Sequence, residues 1–314
     1  MIQFGQLAPP THVVAHVSDT HLLAGEARQY GAIDTVDRFG AALERLGRLD
    51  PPPQALVFTG DLADLGEPDA YRQLRAMVEP LAERISAQVV WCMGNHDARA
   101  AYSRELFGEE SEQSQDRVYD VEGLQIVSLD TSVPGWHHGE LTDEQLTWLR
   151  DVLATPAQHG TILALHHPPI PSPLVPAAEI IELLETERLA DVVRGSDVPA
   201  IIGGHYHFTS HSTFAGIPVS VAAATCYTVD TAPLDRLISA VDGHQAFNVV
   251  HVYADRVVHS VVPAPAAPEV DGFGTDVAPL LEAMSVEERR DMVSRKDSPL
   301  NTGELTGELP PLGG

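Results

Sequence analysis

Residues 13–22 read VVAHVSDTHL, an apolar run that leads directly to the metal-binding residue types Asp19 and His21. Short apolar runs bounded by turn residues predict buried strands. Four more such runs end on metal-capable residues: ALVFT before Gly60-Asp61, VVWCM before Gly94-Asn95-His96-Asp97, TILAL before His166-His167-Pro168, and AIIGG before His205-Tyr206-His207. Because α/β sheets bind ligands beyond the carboxyl ends of their strands, we expect these five strand ends to converge on one crevice.

Between several of the predicted strands lie segments with apolar residues at helical spacing and charged residues between them. These predicted helices cover 35–49, 68–84, 142–154 and 179–194. Strands that alternate with helices predict a layered α/β domain whose sheet is partly parallel. From 211 to 262 the pattern changes to strand-like pieces, the last of which predict a hairpin turning at Ala254-Asp255. These pieces predict a second sheet that closes a sandwich over the first.

The composition changes after Pro263, where Pro, Ala, Gly and acidic residues dominate. We therefore expect one main domain over residues 1–263 and an appendage outside its core over residues 264–314. Within the appendage, Ser285-Val-Glu-Glu288 has the form of a capping box. It predicts a short helix over about 285–296.

The 314 residues include 19 basic and 45 acidic side chains, which give a formal net charge of −26. That charge repels nucleic acid and anionic membranes, so we expect neither as a partner, whereas a metal pair could still attract a small anionic substrate. The two cysteines, Cys92 and Cys226, predict no disulfide framework and fit a reducing compartment. The N-terminus shows no secretory signal, and no stretch approaches the roughly twenty apolar residues of a membrane span. We expect a cytoplasmic protein.

Each motif alone is a weak signal, because Asp-x-His, Gly-Asp and His-x-His are common in turns and strands. Their order is specific: Asp-x-His, Gly-Asp, Gly-Asn-His-Asp, His-His-Pro and Gly-His-x-His each follow an apolar strand. In this order the sequence resembles the calcineurin-like metallophosphoesterases over about residues 12–262. The resemblance implies a four-layer α/β/β/α sandwich of mixed sheets with a dinuclear metal site at the carboxyl-terminal edge of the strands.

The resemblance also implies a ligand set for two metal ions. One ion is expected on Asp19, His21, Asp61 and His207, and the second on Asp61, Asn95, His166 and His205, with Asp61 as the bridge. His166 is preferred to His167 because the family uses the first histidine of His-His-Pro. Imidazole and carboxylate ligands suit zinc, manganese and iron, and the resemblance favours iron or manganese. Such a site implies attack on phosphorus by a metal-bridging hydroxide.

Two further histidines are candidates for contact with substrate. His96, next to the ligand Asn95, matches the family position that contacts the phosphate or acts as general acid. Asp64 follows the bridging carboxylate in GDLAD and is a candidate to orient His96. The loop before the helix at 142 carries His137 and His138, either of which could touch substrate or be solvated, and we take His137 as the candidate.

Within this family, the sequence most resembles the bacterial class III cyclic nucleotide phosphodiesterases. The resemblance lies in the segments SDTHL, Tyr30-Gly-Ala-Ile-Asp34, GDLADLGEP, MGNHD, ALHHPPIP and GGHYH. The resemblance implies hydrolysis of the 3′,5′-cyclic phosphodiester of cAMP, a small-molecule substrate, by a protein whose relatives are often homodimers. A glycerophosphodiesterase or a broad-specificity phosphodiesterase on the same site stays open. A non-catalytic scaffold is a further alternative, although such a protein is expected to have lost ligands or His96, and none is missing here.

Overall fold

The computed structural model describes residues 4–5, 7–270 and 274–298. Its strands are β1 His12–Val17, β2 Ala55–Thr59, β3 Gln88–Cys92, β4 Arg117–Val121, β5 Leu124–Leu129, β6 Thr161–Leu165, β7 Ala200–Gly203, β8 Ser210–Phe214, β9 Ile217–Val221, β10 Thr228–Val229, β11 Ala240–Val241, β12 Ala246–Val252 and β13 Val257–Pro263. Its α-helices are α1 Thr35–Leu46, α2 Pro68–Ile85, α3 Arg99–Phe107, α4 Asp143–Leu153, α5 Thr186–Val193, α6 Ala278–Ala283 and α7 Val286–Ser294, with 3₁₀ helices at Pro176–Ile181 and Thr275–Val277. Pro10–Ala266 form one compact unit, and the residues on either side of it group in a second.

The larger unit contains two mixed sheets. The five-stranded sheet has the order β13-β12-β1-β2-β3, the six-stranded sheet has the order β4-β5-β6-β7-β9-β8, and β10 pairs with β11 in a small ribbon. The central strands β1 to β3 run parallel, as do β5, β6, β7 and β9, whereas the outer strands are antiparallel to their neighbours. Parallel strands end at the same edge, so the residues that follow them are brought together.

Three hydrophobic clusters show how the layers pack. The first joins the five-stranded sheet to α1, α2 and α3 through buried side chains such as Phe39, Phe58 and Tyr71. The second joins the six-stranded sheet to α4 and α5, and the third, which includes Val14 and Ile126, fills the space between the sheets. Each large apolar side chain buried this way stabilises the fold by roughly 1.5–3 kcal/mol. The predicted α/β/β/α sandwich is confirmed.

Strand β1 explains why the opening stretch is apolar almost throughout. All its residues are buried, because one face packs on helices and the other on the second sheet. The strand also carries two buried histidines, His12 and His16, and the Nε2 atom of His16 lies 3.0 Å from Thr59 Oγ1. Burial, with His259 nearby, lowers the pKa of His16 to about 3, so the ring is neutral in the fold.

The prediction of a separate sheet from residues 211–262 is wrong. Strands β8 and β9 extend the six-stranded sheet, and β12 and β13 extend the five-stranded sheet. The predicted hairpin is present, since β12 and β13 pair across a turn in which Tyr253 N donates to Arg256 O at 2.9 Å. Sequence pattern identified the strands, but the choice of sheet depends on which core each strand completes. Helix α3 and strand β4 were not predicted.

The helix predicted over 179–194 begins only at Thr186. The preceding backbone bonds to another segment instead: Gly139 N donates to Glu182 O at 3.1 Å, and Leu184 N donates to Gly139 O at 2.9 Å. These bonds use backbone groups that a helix would require. The amphipathic pattern was therefore right for the second half of the segment and overridden by tertiary contacts in the first.

In the second unit, α7 begins at the predicted capping box. Glu288 N donates to Ser285 Oγ at 3.2 Å, and Ser285 N donates to Glu288 Oε2 at 2.7 Å. The short helix predicted near 285–296 is present as Val286–Ser294. Across the described parts of both units, no helix has the length and apolar character needed to cross a bilayer.

Candidate metal centre

The loops after five strands bring all seven proposed ligand residues into one cluster. The loop after β1 carries Asp19 and His21, that after β2 carries Asp61, that after β3 carries Asn95, that after β6 carries His166, and that after β7 carries His205 and His207. All except Asn95 are buried. The convergence expected from the sequence is therefore present in the fold.

The first ligand group consists of Asp19, His21, Asp61 and His207. One donor atom from each lies within 4.8 Å of the donor atoms of the other three. His21 Nε2 is 3.2 Å from His207 Nε2 and 3.4 Å from Asp61 Oδ2, and His207 Nε2 is 3.3 Å from Asp19 Oδ1. The four atoms surround a common point, as ligands of one ion would.

The second ligand group consists of Asp61, Asn95, His166 and His205. His166 Nε2 lies 3.0 Å from Asn95 Oδ1, 3.3 Å from Asp61 Oδ2 and 3.2 Å from His205 Nδ1. Asp61 Oδ2 thus faces His21 in the first group and His166 in the second. A carboxylate in that position can bridge two ions.

Each of the four histidines points one ring nitrogen inward and holds the other on a fixed acceptor. The outer contacts are His21 Nδ1 to Asp64 Oδ1 at 2.8 Å, His166 Nδ1 to Thr59 O at 2.7 Å, His205 Nε2 to Ile181 O at 2.8 Å and His207 Nδ1 to Tyr227 O at 2.9 Å. Since these acceptors place the proton on the outer nitrogen, the inner nitrogens present lone pairs to one another. Lone pairs at such short range repel unless a proton or a metal ion lies between them, and the convergence of several such nitrogens with carboxylates fits a metal pair.

The charges of the site point the same way. Burial by itself raises the pKa of Asp19, but His207 and His166 bring it down to about 2. The pKa of Asp61 is likewise held well below its usual range by His166 and His96, against the effect of burial. Both carboxylates therefore stay ionised in a buried site. Against the effect of burial, Asp61 in turn raises the pKa of His166 to about 9 and Asp19 raises that of His207 to about 10, so the site needs positive charge, which either protons on these rings or metal ions supply.

The backbone at the ligands is unusual. Asp19, His21, Asp61, His205 and His207 have φ values of 53°, 42°, 51°, 72° and 59°. Residues other than glycine rarely adopt this left-handed region, and such strain collects where surrounding structure fixes a functional geometry. This left-handed backbone conformation directs each of the five side chains away from the strand direction and into the cluster.

Two glycines allow the ligand loops to approach closely. A Cβ atom on Gly204 would lie 1.9 Å from Ser18 Oγ and 2.7 Å from Asp19 Oδ2. A Cβ atom on Gly94 would lie 2.2 Å from Asp61 N and 2.3 Å from Asp61 Oδ1. The glycines that precede His205 and Asn95 in their motifs are thus required by space.

His96 lies at the edge of the cluster, held by two hydrogen bonds. Its backbone N donates to Asp61 Oδ1 at 2.9 Å, and its Nδ1 atom donates to the backbone O of Asp64 at 2.8 Å. The Asp64 carboxylate is 3.5 Å from His96 Nδ1 but 2.8 Å from His21 Nδ1 and 2.8 Å from Gln29 Nε2. The carboxylate proposed from the sequence to orient His96 therefore contacts the ligand His21 more closely.

Of the two loop histidines, His137 lines the cleft at the cluster. Its Nδ1 atom accepts from Asn95 Nδ2 at 2.9 Å, and its ring centroid is 5.1 Å from that of His96. His138 instead has its Nε2 atom 3.0 Å from Glu140 Oε1. The structure thus brings His137, and not His138, to the place where the sequence expected substrate.

His167, which was not chosen as a ligand from the sequence, has both ring nitrogens in contact with residues outside the two ligand groups. Nδ1 lies 2.8 Å from Thr131 Oγ1, and Nε2 lies 3.1 Å from the backbone O of His137. Burial, followed by the charge of His166, lowers the pKa of His167 to about 3. A neutral ring with both nitrogens engaged supports the loop that carries His137.

The sequence profile of the calcineurin-like phosphoesterases matches residues 12–208, which contain every proposed ligand. The chain belongs to the calcineurin-like phosphoesterase family. Members of this family bind two metal ions, in agreement with the two clustered ligand groups.

Named relatives of this calcineurin-like phosphoesterase cover almost its whole length. A cAMP/cGMP dual-specificity phosphodiesterase of Mycobacterium tuberculosis is 51% identical over 292 residues, which are 92% of this chain and 91% of that protein. A probable cyclic nucleotide phosphodiesterase of Rhodococcus erythropolis is 51% identical over 255 residues, 81% of this chain and 84% of that protein. The fold is also that of a dimetal phosphatase from Danio rerio, with a TM-score of 0.59 and 18% identity over 82% of this chain and 97% of that one.

Sequence reasoning quoted Asp97 of this calcineurin-like phosphoesterase but gave it no role. Its buried carboxylate accepts hydrogen bonds from the backbone N of Leu62, Ala63 and Gly94 and from Tyr71 Oη, at 2.9 to 3.2 Å. It thereby ties the loop of Asp61 to the loop of Asn95. The position of Asp97 at the end of the Gly-Asn-His-Asp motif could have marked it as a site residue. Its role could not be predicted, because most of the groups that it bonds are distant in sequence.

The ligand cluster of this calcineurin-like phosphoesterase opens into a cleft of about 200 Å³. Besides Asp61, Asn95 and five of the site histidines, it is lined by Tyr30, Tyr227 and Tyr206, by the aliphatic residues Val175, Ala178 and Ile181, and by Val229, Ile238 and Ala240. Sequence reasoning missed Tyr227 and the aliphatic walls, because nothing around these residues differs from ordinary strand and loop sequence. A cleft of this kind gives a small substrate access to the proposed metal pair.

Proposed function

We propose that this protein hydrolyses 3′,5′-cyclic nucleotides, cAMP among them, with a pair of metal ions held by the two ligand groups. One observation carries the proposal: Asp61 Oδ2 lies between two complete groups of ligand atoms, 3.4 Å from His21 Nε2 and 3.3 Å from His166 Nε2. The relative named for cAMP and cGMP, 51% identical over 92% of this chain, supports the substrate class.

The ligand types support iron or manganese as the ions, with zinc as the alternative, because nitrogen and oxygen donors suit all three metals. When bound, such a pair supplies positive charge to phosphate oxygens and lowers the pKa of a water molecule towards neutrality. The protein's own contribution is to fix the ligands: Asp64, Thr59, Ile181 and Tyr227 hold the outer nitrogens of the four histidines.

His96 is proposed as the proton donor. Its Nδ1 proton is committed to the backbone O of Asp64 at 2.8 Å, while the ring lines the cleft and its side chain is 28% exposed. The remaining nitrogen, Nε2, is the one that can exchange a proton with substrate. As water adds to phosphorus and the bond from phosphorus to one ribose oxygen breaks, that oxygen takes the proton from Nε2.

His137 is proposed to hold the phosphate. The Asn95 side-chain amide donates to His137 Nδ1 at 2.9 Å, so that nitrogen carries no proton and the ring proton lies on Nε2. His137 lines the cleft and therefore offers an N–H donor to a phosphate oxygen. Asn95 in turn directs its Oδ1 atom at His166 and the second ligand group.

We further propose that residues 1–263 form the catalytic domain and that residues 264–314 are an appendage without a part in turnover. The described residues of the ligand groups and of the cleft all lie between Asp19 and Ala240, which supports this division. Truncation after Ala266 tests it, with turnover and sedimentation velocity as readouts, because Ala264 is buried in the core of the larger unit and its N donates to Gln245 O at 2.7 Å. Sedimentation of the full chain also tests the predicted homodimer. The free thiols of Cys92 and Cys226 support the cytoplasm as the compartment.

The decisive experiment measures hydrolysis of cAMP, bis(p-nitrophenyl) phosphate and glycerophosphocholine by protein that has been stripped with chelator and reloaded with manganese. Turnover of cAMP that stripping abolishes is the expected result. Turnover of glycerophosphocholine in place of cAMP would transfer the proposal to glycerophosphodiesters. If protein that contains two metal ions hydrolyses none of the three substrates, the non-catalytic scaffold is favoured.

A further inference from the structure

The cleft has an aromatic wall that the hydrolytic chemistry does not use. Tyr30 and Tyr227 both line it, and their hydroxyl oxygens lie 3.0 Å apart. The buried ring of Tyr227 packs on the ligands, with its centroid 4.4 Å from that of His207 and 5.8 Å from that of His21. The ring of Tyr30 packs on the ring of Tyr227, with 5.3 Å between the ring centroids, and Tyr30 is 69% exposed. The wall therefore leads from the ligand histidines to the mouth of the cleft.

Tyr30 is held in place in spite of its exposure. Its φ of 52° lies in the left-handed region, where a large side chain is uncommon and strained. The turn that carries it is closed by Gln29 N donating to Ile33 O at 2.9 Å. Gln29 Nε2 also donates to Asp64 Oδ1 at 2.8 Å, the same oxygen that holds the ligand His21. The turn that carries Tyr30 is thus connected to the ligand His21 through Gln29 and Asp64.

The other walls of the cleft are aliphatic. Val175, Ala178 and Ile181 come from the 3₁₀ helix and the residue before it, and Val229, Ile238 and Ala240 come from the ribbon β10–β11 and its loop. Among the described residues that line the cleft, Asp61 is the only one with a carboxylate, ammonium or guanidinium group. Apart from the phosphate-binding end, the cleft therefore suits a flat, uncharged ring better than a polyol or a charged head group.

We propose that Tyr30, supported by Tyr227, is the nucleobase subsite, on which the base stacks while the phosphate lies at the ligand cluster. This inference rests on the proposed cyclic nucleotide function and names the group that determines its substrate class. One tyrosine hydroxyl donates to the other, and the remaining described walls away from the ligands offer no amide or carboxylate side chain to the hydrogen-bonding edge of a base. Stacking without edge contacts tolerates different bases. Adenine and guanine nucleotides are therefore expected to bind about equally well.

The test compares two inhibitors that share a phosphate and a ribose but differ in the base: AMP and ribose 5-phosphate. Their inhibition constants are measured on the manganese-loaded full chain, with hydrolysis of bis(p-nitrophenyl) phosphate as the readout. Tyr30→Ala is expected to weaken AMP by about tenfold to a hundredfold, the usual range for loss of one stacked base, and to leave ribose 5-phosphate nearly unchanged. Tyr30→Phe keeps the ring and is expected to bind AMP almost as the unmodified protein does.

Tyr253→Ala is the matched control. Tyr253 follows Val252, which pairs with His12 at the start of β1, whereas Asp19 follows the other end of that strand. Its removal is expected to change neither constant. The proposal is overturned if Tyr30→Ala weakens both inhibitors equally, if it leaves AMP unchanged, or if Tyr30→Phe loses as much AMP affinity as Tyr30→Ala. An equal loss would mean that Tyr30 supports the ligands through Gln29 and Asp64 rather than the base.

The outcome is separable from that of the proposed function, because neither inhibitor needs to be hydrolysed. A protein that fails to turn over cAMP but shows the selective AMP effect would refute the cyclic diester as substrate and keep the base subsite. A protein that hydrolyses cAMP while its preference for AMP over ribose 5-phosphate is independent of Tyr30 would keep the function and refute the subsite.

Discussion

His21 and His207 face each other through their Nε2 atoms at 3.2 Å, while the Nδ1 atom of each donates to a fixed acceptor. Neither ring can turn away without losing that outer hydrogen bond. Two lone pairs held so close are unfavourable, and a cation between them removes the conflict. The fold is therefore expected to be coupled to metal occupancy.

Removal of the metals should lower the melting temperature by roughly 5 °C or more, because ions that bind only the folded state stabilise it by mass action. Differential scanning calorimetry of chelator-stripped and manganese-reloaded protein measures this difference. Magnesium, which prefers oxygen ligands, is the control ion and should restore much less. An unchanged melting temperature after removal of both ions would contradict the coupling.

Asp61→Asn should lose both metal ions and reduce hydrolysis to background, because Oδ2 of this one carboxylate faces both ligand groups. The metal content is measured by elemental analysis of purified protein, beside turnover of bis(p-nitrophenyl) phosphate. Asp151→Asn, which removes a carboxylate exposed on α4, serves as control and should change neither quantity. Two bound ions and full activity in the Asp61 variant would refute the bridging role.

His96→Ala should retain both ions and slow cAMP turnover by roughly a hundredfold or more, the usual contribution of a general acid. The loss on bis(p-nitrophenyl) phosphate should be smaller, because p-nitrophenolate leaves without needing a proton. His138→Ala is the matched control, since that ring pairs with Glu140 and does not line the cleft. Loss of metal from the His96 variant, or equal losses on the two substrates, would argue against proton donation.

Asp64→Ala should weaken metal binding by about tenfold to a hundredfold, because its carboxylate fixes the ring of His21 at 2.8 Å. Asp64→Asn keeps an acceptor oxygen and should restore much of the affinity. Titration of stripped protein with manganese gives the affinities. If Asp64→Ala instead slows turnover at unchanged metal affinity, the carboxylate acts through His96, as the sequence suggested.

Asp116→Asn should stabilise the protein at pH 7 by about 1–3 kcal/mol. Burial raises the pKa of Asp116 to about 6 from 3.8, so the folded state favours the protonated form. Its contribution to stability is present below pH 3.8 and is lost as the pH rises to about 6. The Asn side chain carries no charge and keeps an acceptor for Asp130 N and Gln145 Nε2, which bond Asp116 Oδ1 at 2.8 and 3.0 Å, and gives up only the second contact of Gln145 Nε2, with Oδ2 at 3.1 Å.

Urea unfolding of the metal-free Asp116 variant and of the unmodified protein, at pH 7 and at pH 4, measures this effect. The difference in unfolding free energy should be largest at pH 7 and nearly vanish at pH 4. An equal difference at both values would mean that packing, and not ionisation, distinguishes the two side chains.

Local pattern was enough to predict the central strands and the metal-capable residues that follow them, and the family resemblance assigned these residues to two ligand groups. An apolar run buried on both faces has few alternatives to a central strand, and parallel strands deliver their final residues to one edge. Asp19, Asp61 and Asn95 could therefore be placed together from sequence order alone. Pattern also located the hairpin at Ala254-Asp255 and the capping box at Ser285, since both depend on neighbouring residues.

What the sequence by itself determined is thus the central strands, the order of the motifs and the identity of the groups at the sheet edge. Only the tertiary structure decided which groups hydrogen-bond to the ligand side chains and which residues line the cleft beside them. The acceptors on Thr59, Ile181 and Tyr227 are backbone carbonyls, which every residue has, so no sequence signal distinguishes them. Tyr30 and Tyr227 are 197 positions apart, and only the packing of the two sheets and their loops brings their hydroxyls to 3.0 Å. Sequence patterns are local, whereas these contacts depend on distances that exist only once the chain has folded.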